Sequence, residues 1–138
     1  VIPAAAVIAQ AREWVGVPFL HQGRTRIGAD CLGFIAAMLA ELGSRVALAH
    51  LPLNYSRDPQ AQLLDSLTDL CRTIELEPAA LVIFQFADAK FPSHAALYTG
   101  ESIIHAFARV GRVVETSYGQ PWPKLAHSIW ALPLVVYR

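Results

Sequence analysis

The hydrophobic period of this chain changes once, after Pro78, and that change restricts the fold more than any other feature. Before it, apolar residues recur at helical spacing. Pro3 suits a first helical position, and Val7, Ile8, Ala11, Trp14 and Val15 follow on one face until Gly16 and Pro18 end the run. A second helix is expected from Cys31 through Phe34, Ile35, Met38 and Leu42, with Asp30 as its N-cap and Gly43 as its stop. Residues 44–60 read as irregular, with Pro52, Asn54, Tyr55 and Pro59. A third amphipathic segment then carries Leu63, Leu64, Leu67, Leu70, Cys71 and Ile74. After Pro78, residues 81–86, 94–99, 102–107, 112–116 and 128–137 read as strands, with Gly100 and Gly111 at turns. Helices first and strands later predict an α+β fold, with helices packed on one face of a largely antiparallel sheet of about five strands. At 138 residues, the expectation is a single domain over 1–138.

Charge and composition exclude several functions. Eleven basic residues balance eleven acidic ones, so no basic footprint for nucleic acid is present. Apolar residues make up 54% and charged residues 16%, which excludes a disordered chain. The apolar stretches at 1–9 and 129–137 are broken by proline and fall short of the roughly 18 residues that read as a membrane-spanning helix. The sequence starts without Met or a basic n-region, so synthesis in the cytoplasm without a visible signal peptide is expected. Two cysteines cannot supply a disulfide framework.

Chemistry concentrates around Cys31 and two histidines. If Gly100-Glu101 forms a two-residue turn with glycine first, His94 stands opposite Phe107 and Ala96 opposite His105. The two histidines then share one sheet face as diagonal neighbours, roughly 7–8 Å apart at Cα. Cys31 opens a helix, where the macrodipole lowers a thiol pKa. Were that first turn to pack against the histidine face, Cys31 would be a nucleophile, His94 its base and His105 the group that orients His94. On spacing alone, the plainer readings remain a buried thiol and a hydrogen-bonded histidine pair.

Around these residues, Asp30 reads as an N-cap whose carboxylate is also available to a substrate amine. The loop over 16–29 offers His21, with Arg24 and Arg26 as either solvated charges or carboxylate holders. Cys71 reads as core. Cys31, His94 and His105 are all possible zinc ligands, but HExxH and CxxC are absent, and no metal or cofactor is expected.

Trp14-Val-Gly-Val-Pro-Phe19, Asp30-Cys-Leu-Gly-Phe-Ile35, residues 78–84, Ser93-His-Ala-Ala-Leu-Tyr-Thr-Gly100 and Ile103-Ile-His-Ala106 together resemble the NlpC-type cysteine peptidases of bacterial cell walls. The resemblance covers most of the chain in the same order. It implies a papain-like fold and a Cys31–His94–His105 triad. It also implies a substrate face that includes Asp30, Phe19, His21, Arg24, Leu32 and Ser93. The implied substrate is a peptidoglycan stem peptide, cut at the amide following D-γ-glutamate. Leu32 after the cysteine, and the irregular segment with Pro52 and Tyr55, resemble members carried by tailed phages and gene-transfer agents. That implies a phage-like virion tail as location, tail-tip or hub proteins as partners, and action in the periplasm or cell wall. Three positions depart from the family pattern: Phe19 where a tyrosine is frequent, Leu32 where serine is frequent, and Ala79-Ala80 where Gly-Asp usually stands. The leading reading is therefore a thiol endopeptidase. Its alternatives are a weak or inactive structural module of a tail tip, and a thiol acyltransferase or amidase.

Overall fold

The computed structural model describes residues 1–51, 65 and 69–137. The chain begins with a two-residue strand, β1 (Ile2–Pro3), and helix α1 (Ala4–Arg12). A small hairpin, β2 (Arg24–Thr25) and β3 (Gly28–Ala29), leads into α2 (Cys31–Glu41), followed by α3 (Val46–His50) and β4 (Arg72–Thr73). Then come β5 (Leu81–Phe84), β6 (His94–Tyr98), β7 (Ser102–Phe107), β8 (Arg112–Ser117), the short helix α4 (Trp122–Leu125), β9 (Ala126–Ala131) and β10 (Val135–Val136). The main sheet has six strands in the order β4-β9-β5-β6-β7-β8, with antiparallel neighbours throughout. This is the α+β architecture expected from the sequence.

Helix α2 is the central post. Every residue from Leu32 to Leu39 is buried, as expected of a helix with no polar face. Its start is fixed by Asp30, whose Oδ1 accepts from Gly33 N at 2.8 Å. Its end is a Schellman turn, with Gly43 at φ +95°, Gly43 N–H on Ala40 O and Ser44 N–H on Leu39 O. Trp14 packs on Phe34 and donates from Nε1 to Glu41 Oε1 at 2.8 Å. Gln10 and Arg26 also donate to Glu41, so one carboxylate ties α1, the β2–β3 hairpin and α2 together.

The two faces of the sheet bury different things. Leu81, Ile83, Ala95, Leu97, Ile104 and Ala106 pack with α1, α2 and α3. Val82, Phe84, Ala96 and Ile103 face the other way, under Tyr98, Tyr118, Trp122 and Leu125. Helix α4 therefore lies on the face opposite the other helices. Strands β5 to β7 are apolar on both faces for this reason, reading as near-continuous hydrophobic runs.

Several expectations need correction. A helix, α3, occupies Val46–His50 within a segment read as irregular; Pro52, Asn54, Tyr55 and Pro59 lie outside the described residues. Of the expected third helix, Leu63, Leu64 and Leu67 also lie outside them. Its tail is not helical: Leu70 sits in a turn, and Arg72 and Thr73 pair with Ala131 and Trp130 of β9. Residues 128–137 do not form one strand. The chain turns at Pro133 and Leu134 (φ +64°), and β10 pairs in parallel with β1. Ala79 adopts φ +73°, a backbone region where glycine carries no Cβ penalty. It is held there by Ala79 N–H on Tyr98 O and by Tyr137 Oη donating to Ala79 O. Among the described residues, no helix is long and apolar enough to cross a membrane.

Candidate active site

The hairpin between β6 and β7 has the expected register. Leu97 pairs with Ile104 and Tyr98 with Ile103, across a turn in which Gly100 has φ +115°. Thr99 closes it, its Oγ1 accepting from Ser102 N–H at 3.0 Å. His94 and His105 consequently meet, with 2.7 Å between His94 Nε2 and His105 Nδ1. His105 is fully buried, and its Nε2 lies 3.2 Å from Thr116 Oγ1. Aromatic side chains enclose the pair. Phe86 stacks on His94 at 5.7 Å, Phe107 stacks on His105 at 5.0 Å, and Trp122 meets His105 edge-on at 5.1 Å.

Cys31 approaches from the other side of the sheet. Its helix packs against the Ala95–Leu97 face, not the histidine face, which corrects the expectation drawn from the sequence. Only the first turn reaches over the start of β6. There Cys31 Sγ sits 4.0 Å from Ser93 O and receives the Ala95 N–H, on the backbone flanking His94. Cys31 as a residue remains partly exposed.

Burial dominates the electrostatics. Desolvation, then the Asp30 carboxylate, pushes the Cys31 thiol up to about 12, against backbone N–H groups of Ala95, Leu32 and Cys31 that draw it down. Burial thus opposes the acidification expected of a thiol at a helix start. Burial, then His105 and Arg109, lowers His94 to about 3, and burial lowers His105 to about 4. Burial therefore opposes charge on all three side chains.

One tautomer chain suits a base. If His94 Nε2–H donates to His105 Nδ1 and His105 Nε2–H donates to Thr116 Oγ1, His94 Nδ1 carries a lone pair. The reverse chain would put a proton on Nδ1 and block it.

The other expected residues are placed unequally. Asp30 is 6% exposed; besides its cap, its Oδ2 accepts from Gln22 N–H at 3.0 Å, clasping the preceding loop. Phe19 is half-buried against the helical core and bridges to Ala29. His21 lies half-buried on the turn after it. Leu32 is wholly buried, so its side chain offers no surface to a substrate. Ser93 contributes its carbonyl beside Cys31. Arg24 points elsewhere: with Trp14, Arg26, Glu41 and Arg45 it lines a cavity of about 300 Å³ toward the far end of α2, and reaches Leu51 O at 3.5 Å. Cys71 is half-buried, away from the histidines, with its thiol raised to about 11 by burial. Among the described residues, no cluster of three or more His, Cys, Asp or Glu could hold a metal ion.

Sequence reading missed Thr116, Phe86, Arg109 and Trp122, while the strand parity had already set Phe107 on the histidine face. Extending the strand-parity argument across the next turn would have found Thr116, since Ile103 pairs with Thr116 and His105 with Val114. Nothing local announces Trp122.

No family model matches the chain. It is 27% identical over 116 residues to the probable endopeptidase NlpC of Escherichia coli (strain K12), covering 83% of this chain and 69% of that protein. A solved NlpC/P60 family protein from Bacillus cereus superposes with a TM-score of 0.65 at 19% identity, over 91% of this chain and 39% of that one. The peptidoglycan hydrolase RipB from Mycobacterium tuberculosis gives 0.65 at 16% identity, over 97% of this chain and 65% of its own. The chain therefore spans well under half of the Bacillus protein and about two thirds of the other two. The fold is the NlpC/P60 fold. Sequence and structural similarity together support homology with the NlpC/P60 cell-wall peptidases.

Proposed function

We propose that residues 1–138 act as one cysteine endopeptidase domain on peptidoglycan stem peptides, with Cys31, His94 and His105 as its catalytic group. The observation that carries this reading is a nucleophile-type residue at the start of α2, set against the backbone of a histidine whose far nitrogen is held by a second histidine. Cys31 Sγ attacks the amide carbonyl while His94 Nδ1 takes its proton. The Cys31 backbone N–H, at the helix start, stabilises the oxyanion. The imidazolium then protonates the departing amine as the C–N bond breaks, leaving a thioester. Water, deprotonated by His94, hydrolyses the thioester and releases the acid and the thiol.

The finer reading is cleavage at the amide following D-γ-glutamate by an enzyme of a phage-like tail, with tail-tip proteins as partners. It is supported by the resemblance of Asp30-Cys31-Leu32 and the segment around Tyr55 to such members. The test is a peptidoglycan digest with wild type and C31A, with fragments identified by mass spectrometry. A new free amine on the diamino acid, made by wild type alone, is the expected result. The same release by folded C31A would overturn the mechanism. The competing reading is a tail-tip module that no longer cuts, in line with the burial that raises the Cys31 thiol; no release from any wall tested, together with sluggish Cys31 alkylation, would favour it.

A further inference from the structure

Arg109 is a cation that the mechanism leaves unused. It lies exposed in the turn joining β7 to β8, with its guanidinium carbon 5.1 Å from the centroid of the Phe86 ring. Phe86 in turn stacks on His94 and on Phe107. A positive charge therefore rests one ring away from the proposed base, docked on an aromatic face that restricts its rotamers. Among the described residues no carboxylate forms an ion pair with it, whereas Arg12 and Arg26 are both paired with glutamates.

We infer that Arg109 is a specificity residue: it draws a carboxylate of the substrate to the His94 side of the cleft, so the enzyme favours peptides carrying a free acid beside the scissile amide. This rests on the peptidase reading. A γ-linked glutamyl residue offers such an acid, its α-carboxylate, and an amidated stem peptide does not. The guanidinium suits this role because it stays charged at every working pH and meets a carboxylate with two parallel N–H donors. Its field also reaches His94, whose protonated form it disfavours.

Two measurements test the inference separately from the peptidase activity. The first compares Cys31 alkylation by iodoacetate and iodoacetamide in wild type, R109Q and R109K at low salt and pH 9, read at Cys31 by peptide mass spectrometry so that Cys71 does not contribute. The anionic-to-neutral rate ratio is expected to fall about fivefold in R109Q, the scale of one partly solvated charge, to recover in R109K, and to shrink for wild type at high salt. The second compares stem peptides with a free or an amidated glutamyl α-carboxylate; R109Q should abolish the preference for the acid mainly through KM. An unchanged ratio in either measurement overturns the inference. If wild type cuts neither peptide, the peptidase reading fails, and the alkylation ratio still decides what Arg109 does.

Discussion

Gly33→Ala separates two physical arguments by sign. Alanine in place of a helical glycine ordinarily stabilises by about 0.5–1 kcal/mol through backbone entropy. Here a Cβ would stand 1.9 Å from Gly23 O and 2.9 Å from Asp30 Oδ1, where ordinary contact begins at 3.4 Å. The obstacle is backbone, so the loop carrying Gly23 must retreat by about 1.5 Å from the start of α2. That retreat breaks the Asp30 N–H bond to Gly23 O and disturbs the Asp30 cap. Overpacking of this kind costs about 1–3 kcal/mol and a lost cap about 1 kcal/mol more. The expected loss is about 2–4 kcal/mol, or about 1–2 M in the urea midpoint. Under the proposed mechanism, displacing Cys31 by about 1 Å should also lower stem-peptide turnover about 100-fold. Gly43→Ala is the control: its Cβ meets nothing within 4 Å, so only the positive φ is penalised, by about 1 kcal/mol, and Cys31 stays in place. A G33A protein with a raised urea midpoint and unchanged turnover would refute the steric reasoning.

Other expectations are more compact. His94 and His105 should keep neutral-imidazole NMR shifts from pH 8 down to 5, since both are lowered far beneath 6.5; titration of either near 6.5 would contradict their burial. Because these folded-state values are depressed, their contribution to stability is present above about 6.5 and is lost as pH falls toward 4 and 3, which urea midpoints across that range will register. Cys31 alkylation by iodoacetamide should be slow at pH 6 and still rising above pH 9; a plateau from pH 6 would mean that a thiolate–imidazolium pair forms in the free protein. Glu41 is held down to about 2, first by its hydrogen bonds from Arg26, so E41Q should destabilise at pH 7 and lose that effect as pH falls through 4 toward 2, measured by urea unfolding at each pH. Ala79→Gly should raise stability by about 0.5–1 kcal/mol by relieving the positive φ, offset in part by added chain entropy; a lowered thermal midpoint would contradict this.

The parts of the fold that were legible are those governed by local rules. Asp30 and Gly43 bracket α2 because a cap and a left-handed glycine act within a few residues. The glycine-first turn set the pairing of β6 with β7, and side-chain alternation then brought His94 and His105 together. What was not legible depends on distant partners. Whether α2 covers the histidine face or its reverse is decided by which set of strand residues is smaller and more aliphatic, and β5 to β7 are apolar on both. The split of residues 128–137 follows from the parallel pairing of β10 with β1, a contact between the two ends of the described chain that no local pattern announces. The upward shift of the Cys31 thiol escaped for a similar reason: the helix start acts locally, but the desolvation that outweighs it comes from the assembled sheet and loops.

The sheet holds the proposed reacting groups from its two faces. Cys31 is carried by the helical layer, through α2, while the imidazole pair is braced by Phe84, Phe86, Phe107 and Trp122 on the reverse side. They meet at the backbone of 93–95, and α2 packs on the other face of β6 and β7, the strands that carry the two histidines. The aromatic side is thus a tuning knob for the proposed base. Substitutions there would act on that base from the face that α2 does not cover, reaching Cys31 through the strands on which α2 packs, β6 and β7 among them.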